Sequence, residues 1–203
     1  MNDLTGAVSL ALEAAKRKGA DSADAILIEQ KSVDVSILNG ATEYVERAEG
    51  YDLGLRVLCG QSQAIVSTNK LDPDTINRAA DRAVDMARAA PPDPFAGLAA
   101  SEQLAQTAPD LDLFDGSAIG ESKLHALAKE AEDAGLSIKG VSRSTGASAS
   151  MSARQIVLGT SEGFLKSFRR SGYGVSVAVI AGNGTGMERD YDFSSAVHFR
   201  DLK

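Results

Sequence analysis

Apolar and polar residues alternate along one stretch of the chain, and this stretch occurs twice. The first copy covers residues 50–60 and the second covers residues 172–182, at a constant offset of 122 positions. Alternation with a period of two is typical of a strand with one buried face. The pattern therefore predicts two equivalent strands, whose buried faces begin at Tyr51 and at Tyr173.

The flanks of the two copies repeat as well. Residues 33–38 and 41–48 predict a hairpin around Asn39-Gly40, a pair typical of a tight turn. Residues 154–158 and 164–170 predict the corresponding hairpin in the second half. These segments indicate one unit used twice, a helix followed by an antiparallel meander. The alternative is two unrelated meanders that resemble each other because all meanders alternate.

Helical periodicity predicts three helices. The first covers residues 3–18 and ends at Gly19, and the second begins with Asp72 as its N-cap and Pro73 in its first turn. The third is expected to begin at a Ser117 cap, to run to residue 134 and to end at Gly135.

The end of the chain repeats the start of the second helix. Ser194 lies 122 positions after Asp72, so residues 196–203 are expected to begin another helix. Eight residues are too few for a stable helix. We therefore expect the chain to be a fragment of a longer protein.

The predicted fold is α/β of the α+β type, a mostly antiparallel sheet with helices packed on it and an internal duplication. The expected organisation is a first repeat over residues 1–90, a connector rich in proline and aspartate over 91–116, and a second repeat over 117–203 ending in a truncated helix. All of it is expected to form one N-terminal domain.

The composition of the chain argues against several classes of protein. The 203 residues carry a net charge of −7, which argues against direct nucleic-acid binding because that needs a basic face. The single cysteine, Cys59, excludes an internal disulfide. No apolar run could span a membrane and no signal peptide is recognisable, so we expect a cytoplasmic protein.

The sequence contains no catalytic or metal motif. His125 is expected on a solvated helix face shared with Glu132, and His198 lies far away near the end of the chain. Neither histidine has a glutamate at the spacing of a zinc protease, and no motif pairs a nucleophile with a base. Cys59 is expected to be a small packed residue. We predict no catalytic and no metal-binding residue.

Residues 186–193 combine alternating charges with two aromatic residues. One interpretation is an exposed strand whose charges pair with their neighbours. The other is an edge strand that contacts a partner domain or a peptide. The candidate contact residues are Glu188, Arg189, Asp190, Tyr191 and Asp192.

Several segments together resemble the PmbA/TldE branch of the TldD/PmbA family, also called modulator of DNA gyrase. The resemblance covers the whole chain in order and is most specific at residues 92–98 (Pro-Asp-Pro-Phe-Ala-Gly-Leu) and 187–192 (Met-Glu-Arg-Asp-Tyr-Asp). The weaker matches are Gly19-Ala20-Asp21, Asn39-Gly40, Gly50–Val57 and the flanks of the last segment, Gly186 and Phe193–Ser195.

The resemblance implies the N-terminal domain of a non-catalytic subunit in a TldD/TldE-type metallopeptidase that acts on unfolded peptides, including peptide-antibiotic precursors. It implies a TldD-like partner subunit, a peptide substrate, no cofactor in this chain and zinc only in the partner. One alternative is an interaction module linked to DNA gyrase without proteolysis. Another is part of a zinc-bearing TldD-type peptidase. Self-association stays open.

Overall fold

The computed structural model describes residues 3–107, 109–117 and 119–203. A helix followed by three strands occurs twice along this part of the chain. The α-helices are α1 (Leu4–Arg17), α2 (Pro73–Ala89) and α3 (Glu121–Ser137), and the strands are β1 (Ser22–Leu38), β2 (Ala41–Cys59), β3 (Ser62–Thr68), β4 (Val141–Thr160), β5 (Leu165–Ala181) and β6 (Glu188–Ala196). Short 3-10 turns cover Ser101–Gln103, Gly184–Gly186 and Phe199–Asp201.

The strands form one antiparallel sheet in the order β3-β2-β1-β4-β5-β6. Strands β3 and β6 are its edges. Leu53 of β2 pairs with Thr68 of β3, and Tyr173 of β5 pairs with Ala196 of β6. This arrangement confirms the predicted α+β class with a mostly antiparallel sheet.

Three strands are longer than the sequence pattern predicted. The apolar patterns of residues 23–30 and 33–38 predict two separate strands, but residues 22–38 form one strand, and β2 continues through Gly50 for 19 residues. Likewise β5 continues through Gly172. Glycine weakens a strand but leaves its backbone able to pair, so these glycines do not end the strands.

The chain divides into two compact units, each built from three segments. Unit 1 comprises Met1–Glu29, Gly50–Asp110 and Gln155–Phe168, and unit 2 comprises Gln30–Glu49, Leu111–Arg154 and Arg169–Lys203. The division into repeats at 1–90, 91–116 and 117–203 follows sequence similarity instead, and it stays a prediction.

The core of unit 1 lies between the two amphipathic helices α1 and α2 and the strands beneath them. Its largest fully buried side chains are Val8, Leu27, Leu53, Leu55, Val57, Ile76, Val84 and Val157. Asp3 and Asp72 cap the helices by accepting hydrogen bonds from Gly6 N and Thr75 N, both at 2.9 Å. Gly19 follows α1 with a φ of +92°, the conformation that favours glycine after a helix.

The core of unit 2 lies under α3. It contains Val35, Ile37, Leu124, Ala128 and Ala149. The bounds predicted for α3 were wrong, since Gly120 is the N-cap and the helix continues past Gly135 to Ser137. A Cβ on Gly135 would lie 2.9 Å from Val179 Cγ1, so this glycine permits close packing of the helix on β5 rather than ending the helix.

The prediction of a helix from residue 196 was also wrong. Ser194, the expected cap, lies inside β6, where it pairs with Val175. Its Oγ accepts a hydrogen bond from Lys203 N at 3.1 Å. Strand pairing therefore continues to Ala196, and only a single 3-10 turn follows.

The burial pattern of β4 changes phase at Gly146. Ser144 is buried before it, whereas Ala147 and Ala149 are buried after it. Gly146 has a φ of +120°, and its N–H donates to Ser144 Oγ at 2.9 Å. These features are typical of a β-bulge, which turns the two parts of β4 to opposite phases.

No helix in the described ranges is long and apolar enough to cross a membrane.

Candidate functional site

In unit 2, one face of β5 is covered and the other is not. Ser171 and Tyr173 are buried, and Val177 and Val179 lie against Gly135 of α3. Side chains of a strand alternate between faces, so the even-numbered residues of β5 point away from α3. We call the surface on that side the open face. Its members on β4, β5 and β6 include Ser148, Ser150, Ser152, Arg154, Arg170, Gly172, Gly174, Ser176, Tyr191, Phe193 and Ser195.

A groove of about 670 Å³ lies on β4, β5 and the end of β6 in unit 2. Arginines lie at positions 154 and 170, and serines and glycines form most of the remainder. We call it the serine groove; its lining residues are Ser150, Ser152, Arg154, Arg170, Ser171, Gly172, Tyr173, Gly174, Ser195, Ala196 and Val197. The groove lining thus combines serine hydroxyls and two arginine charges with small apolar groups.

Two glycines at the floor of this groove leave its space free of side chains. A Cβ on Gly172 would lie 3.2 Å from Ser152 Oγ, and a Cβ on Gly174 would lie 3.2 Å from Ser150 Oγ. Larger side chains at either position would occupy the groove. The sequence analysis missed this site, although the alternation of serine and glycine with arginine on two strands is visible in the sequence.

All five residues predicted to contact a peptide or partner lie on the edge strand β6 and are exposed. The register pairs Tyr191 with Ala178 and Arg189 with Ile180, which places both on the open face. Glu188, Asp190 and Asp192 lie on the opposite face. Tyr191 stacks on Phe193 with ring centroids 6.5 Å apart. Their role in binding stays a prediction.

The outer edge of β6 is partly blocked by its own side chains. Asp190 Oδ1 accepts a hydrogen bond from Tyr191 N at 2.9 Å, and Asp192 Oδ1 accepts one from Phe193 N at 2.8 Å. Edge amides are what an added strand would use. A peptide pairing along β6 would have to displace these carboxylates.

We predict that replacing both Asp190 and Asp192 with alanine increases self-association. The two amides are then free to pair with another strand, and two negative charges are lost from the edge. Analytical ultracentrifugation over a range of concentrations measures this. The matched control replaces the exposed Asp74 and Asp85 of α2 with alanine, and an equal increase there would refute the edge explanation.

Glu132 does not lie on a solvated face as the sequence analysis expected. It is fully buried, and its carboxylate accepts hydrogen bonds from Asn39 N at 2.9 Å and Gly40 N at 2.6 Å. Burial disfavours the charge, but hydrogen bonds from Ser144, Gly40 and Asn39 outweigh it and hold the pKa of Glu132 below its ordinary value. The residue is a structural anchor for the β1–β2 turn.

His198 also has a structural position. Its Nε2 lies 2.9 Å from the carbonyl oxygen of Asp112, in the acidic end of the connector. Nearby, Asp115 accepts hydrogen bonds from Ser117 N and Phe199 N, both at 2.8 Å. Hydrogen bonds from Ser117 and Phe199 lower the pKa of Asp115 to about 2. The carboxylate thus fixes residues 111–117 against the end of unit 2.

Asp34 is the one carboxylate in the described residues with a buried oxygen, Oδ1, that lacks a hydrogen-bond partner. Burial and the charge of Glu46 raise its pKa. Val35 and Ile37 point into the α3 core, so alternation along β1 places Asp34 on the opposite face.

The described residues contain no group of three or more His, Cys, Asp or Glu side chains that could hold a metal ion. Cys59 is a free, half-buried thiol that packs against the core of unit 1. This part of the chain therefore does not fit a catalytic zinc site, which needs three protein ligands.

The chain matches two family models in succession. PmbA/TldA metallopeptidase domain 1 matches residues 23–87, and the PmbA/TldA metallopeptidase central domain matches residues 114–203. Metalloprotease PmbA of Escherichia coli O157:H7 is 35% identical over 98% of this chain and 44% of its own length. The Metalloprotease PmbA homolog of Haemophilus influenzae is 34% identical over 99% of this chain and 45% of its own length. The chain spans less than half the length of these curated relatives.

Solved structures share the fold. A candidate modulator of DNA gyrase from Bacteroides thetaiotaomicron superposes with a TM-score of 0.92 at 18% identity, over 100% of this chain and 47% of that one. TldE from Thermococcus kodakarensis superposes with a TM-score of 0.76 at 13% identity, over 94% of this chain and 43% of that one. By its sequence matches, the chain belongs to the PmbA/TldD metallopeptidase family.

Proposed function

We propose that this chain is part of a PmbA/TldE-like, non-catalytic subunit that holds unfolded peptides for a TldD-type metallopeptidase partner. The observation that carries the proposal is the serine groove, a channel lined by serines, glycines and two arginines on a sheet face that no described helix of unit 2 covers. Family membership supplies the reaction class, peptide-bond hydrolysis.

The lining of the groove suits extended chains of varied sequence. Serine hydroxyls both donate and accept hydrogen bonds, so Ser150, Ser152 and Ser195 can meet either polar group of a peptide backbone. Gly172 and Gly174 leave room for that backbone to approach the sheet. Binding through backbone groups does not depend on the side chains of the peptide.

In this proposal the bond-breaking step belongs to the partner. A bound zinc ion supplies a water nucleophile of lowered pKa in such enzymes, but the described residues of this chain offer no ligand set for it. The residues of this chain bind and orient the peptide.

The chain is therefore expected to bind no stoichiometric zinc and to cleave no peptide by itself. Elemental analysis of the tag-free chain after dialysis, with a peptide-cleavage assay on the same sample, measures both. Zinc at one equivalent together with chelator-sensitive cleavage would overturn the non-catalytic assignment.

The proposal is tested with the whole protein co-purified with a TldD-type partner carrying His-Glu-x-x-x-His. We expect the pair, and neither protein alone, to cleave unfolded peptides. Gly174→Val fills the groove and should lower cleavage at least tenfold without separating the subunits. Gly50→Val is the matched control, because a Cβ there meets no atom within 4 Å.

Two outcomes would favour the other functions. Recovery of gyrase by the whole protein, with no peptidase activity in any pair, would support an interaction module. The interaction-module alternative is based on the gyrase-modulator name of the structural neighbour from Bacteroides thetaiotaomicron. A His-Glu-x-x-x-His motif in the whole protein itself would identify a TldD-type peptidase.

A further inference from the structure

Two arginines face each other at one end of the serine groove. Ser152 of β4 lies beside Gly172 of β5, and Ser150 of β4 lies beside Gly174 of β5. The residue number on β5 therefore falls by two where the residue number on β4 rises by two, as in any antiparallel pair. The hydroxyl groups of Ser148 and Ser176, which are 3.1 Å apart, follow the same register. Continuing this register in the other direction places Arg154 directly opposite Arg170 on the open face.

This pairing is unfavourable without an anion. Like charges directly opposite each other on neighbouring strands destabilise a sheet. Neither guanidinium group has a hydrogen bond or an ion pair among the described residues, although the chain carries 28 acidic residues. Other arginines do have partners, since Arg56 pairs with Asp24 and Arg47 with Glu121.

The groove gives an anion a place to bind. Both arginines line the same space of about 670 Å³, together with the serine hydroxyls and the glycine floor. Guanidinium groups bind carboxylates through two parallel hydrogen bonds, which gives them a strong preference for planar anions of this kind. Elsewhere on the chain negative charge predominates, so an acidic group would be attracted selectively to this end.

We propose that Arg154 and Arg170 bind a carboxylate of a peptide lying in the serine groove. The inference rests on the proposed function and specifies its substrate class. The carboxylate is either the C-terminus of the peptide or an Asp or Glu side chain, because both present the same two oxygens.

The exposed aromatic residues of the open face indicate which kind of peptide residue precedes the carboxylate. Ser176 pairs with Phe193, so an exposed aromatic ring lies beside β5 six positions from Arg170. At a strand rise of about 3.4 Å per residue this separation is about 20 Å. An extended peptide of about six residues covers it. Phe193 is 66% exposed and stacked on Tyr191, so it offers an apolar contact to the end of the peptide that lies far from Arg170.

The test measures binding of hexapeptides to the whole protein by fluorescence anisotropy with an uncharged label. Each peptide has phenylalanine first and serine, glycine or alanine elsewhere. The first ends in a free carboxylate, the second is amidated with glutamate at its sixth position, and the third is amidated and neutral. We expect the first or the second to bind at least tenfold more tightly than the third, and their difference identifies the source of the carboxylate.

The variant carrying Arg154→Gln and Arg170→Gln should lose this preference. It should still fold, because removing two opposed like charges does not weaken the sheet, and a thermal melt checks this. The charge-matched control carries Lys139→Gln and Arg143→Gln, which lie outside the groove lining; it should keep the preference to within twofold.

Three results would overturn the inference. These are equal binding of all three peptides, loss of the preference in the control variant, and displacement of peptide by inorganic phosphate or single-stranded DNA at lower concentration than by a carboxylate peptide. Failure of the proposed function is a separate result. If the protein prefers carboxylate peptides but no protein pair cleaves peptides, the inference stands and the peptidase role is refuted. If a protein pair cleaves peptides but the protein shows no carboxylate preference, the peptidase role stands and the inference is refuted.

Discussion

Glu132→Gln is expected to lower the free energy of unfolding by about 2–3 kcal/mol, because it leaves a buried backbone amide without an acceptor. The carboxylate accepts from both Asn39 N and Gly40 N. A glutamine of the same size has one acceptor oxygen, and its NH₂ group would face the other amide. Urea denaturation followed by circular dichroism measures the loss.

The control for this variant is Glu130→Gln, an exposed position on the same helix, which should change stability by less than about 0.5 kcal/mol. The effect should also depend on pH. Because the pKa of Glu132 is lowered in the folded protein, its contribution is present above the ordinary value of 4.5 and is lost as the pH falls through the folded pKa. Equal stability of Glu132→Gln and the unmodified chain at pH 7 would contradict the anchor role.

Tyr173→Ala is expected to cost about 3–5 kcal/mol, the range for removing a large buried aromatic ring. Tyr173 is 4% exposed, and its ring meets Phe199 edge to face at 5.5 Å. Its hydroxyl donates to the carbonyl oxygen of Ser117 at 3.3 Å. Burial, with a smaller contribution from Asp115, raises the pKa of this hydroxyl, so it remains a donor at neutral pH.

A companion variant separates the ring from the hydroxyl. Tyr173→Phe keeps the ring and should cost only about 1 kcal/mol. Tyr51, the equivalent residue in the first copy, is only half-buried and donates to Glu29 at 3.2 Å. Tyr51→Ala should therefore cost less than Tyr173→Ala. An unchanged melting temperature for Tyr173→Ala would refute the structural role.

Structural features that depend only on neighbouring residues could be predicted from the sequence. Asn39 and Gly40 both have positive φ angles, of 53° and 76°, as the predicted tight turn requires. Asp72 and Pro73 begin α2 as predicted. In each case the signal and the structure it specifies lie within a few residues, so no knowledge of the rest of the chain was needed.

Structural features that depend on contacts with residues distant in the sequence could not be predicted in this way. Glu132 has the helical spacing of a solvated residue, and only the position of a turn 92 residues earlier explains its burial. The opposition of Arg154 and Arg170 depends on the register of a hairpin, which an alternating pattern alone does not fix. Gly135 failed as a helix boundary for a related reason, since it lies inside α3 where the helix packs closely against β5.

The bulge at Gly146 also bears on how this chain can tolerate changes of length. Residues after it are held in phase by the hairpin to β5, whereas residues before it are joined to the turn after α3. Deleting Gly146 would remove the extra residue and restore regular alternation, so Ser144 would stay on the side of Glu132 and Ser148, Ser150 and Arg154 would stay on the open face. The bulge lets the segment at 141–145 be redesigned or exchanged between homologues independently of the groove, provided that its residue count is kept.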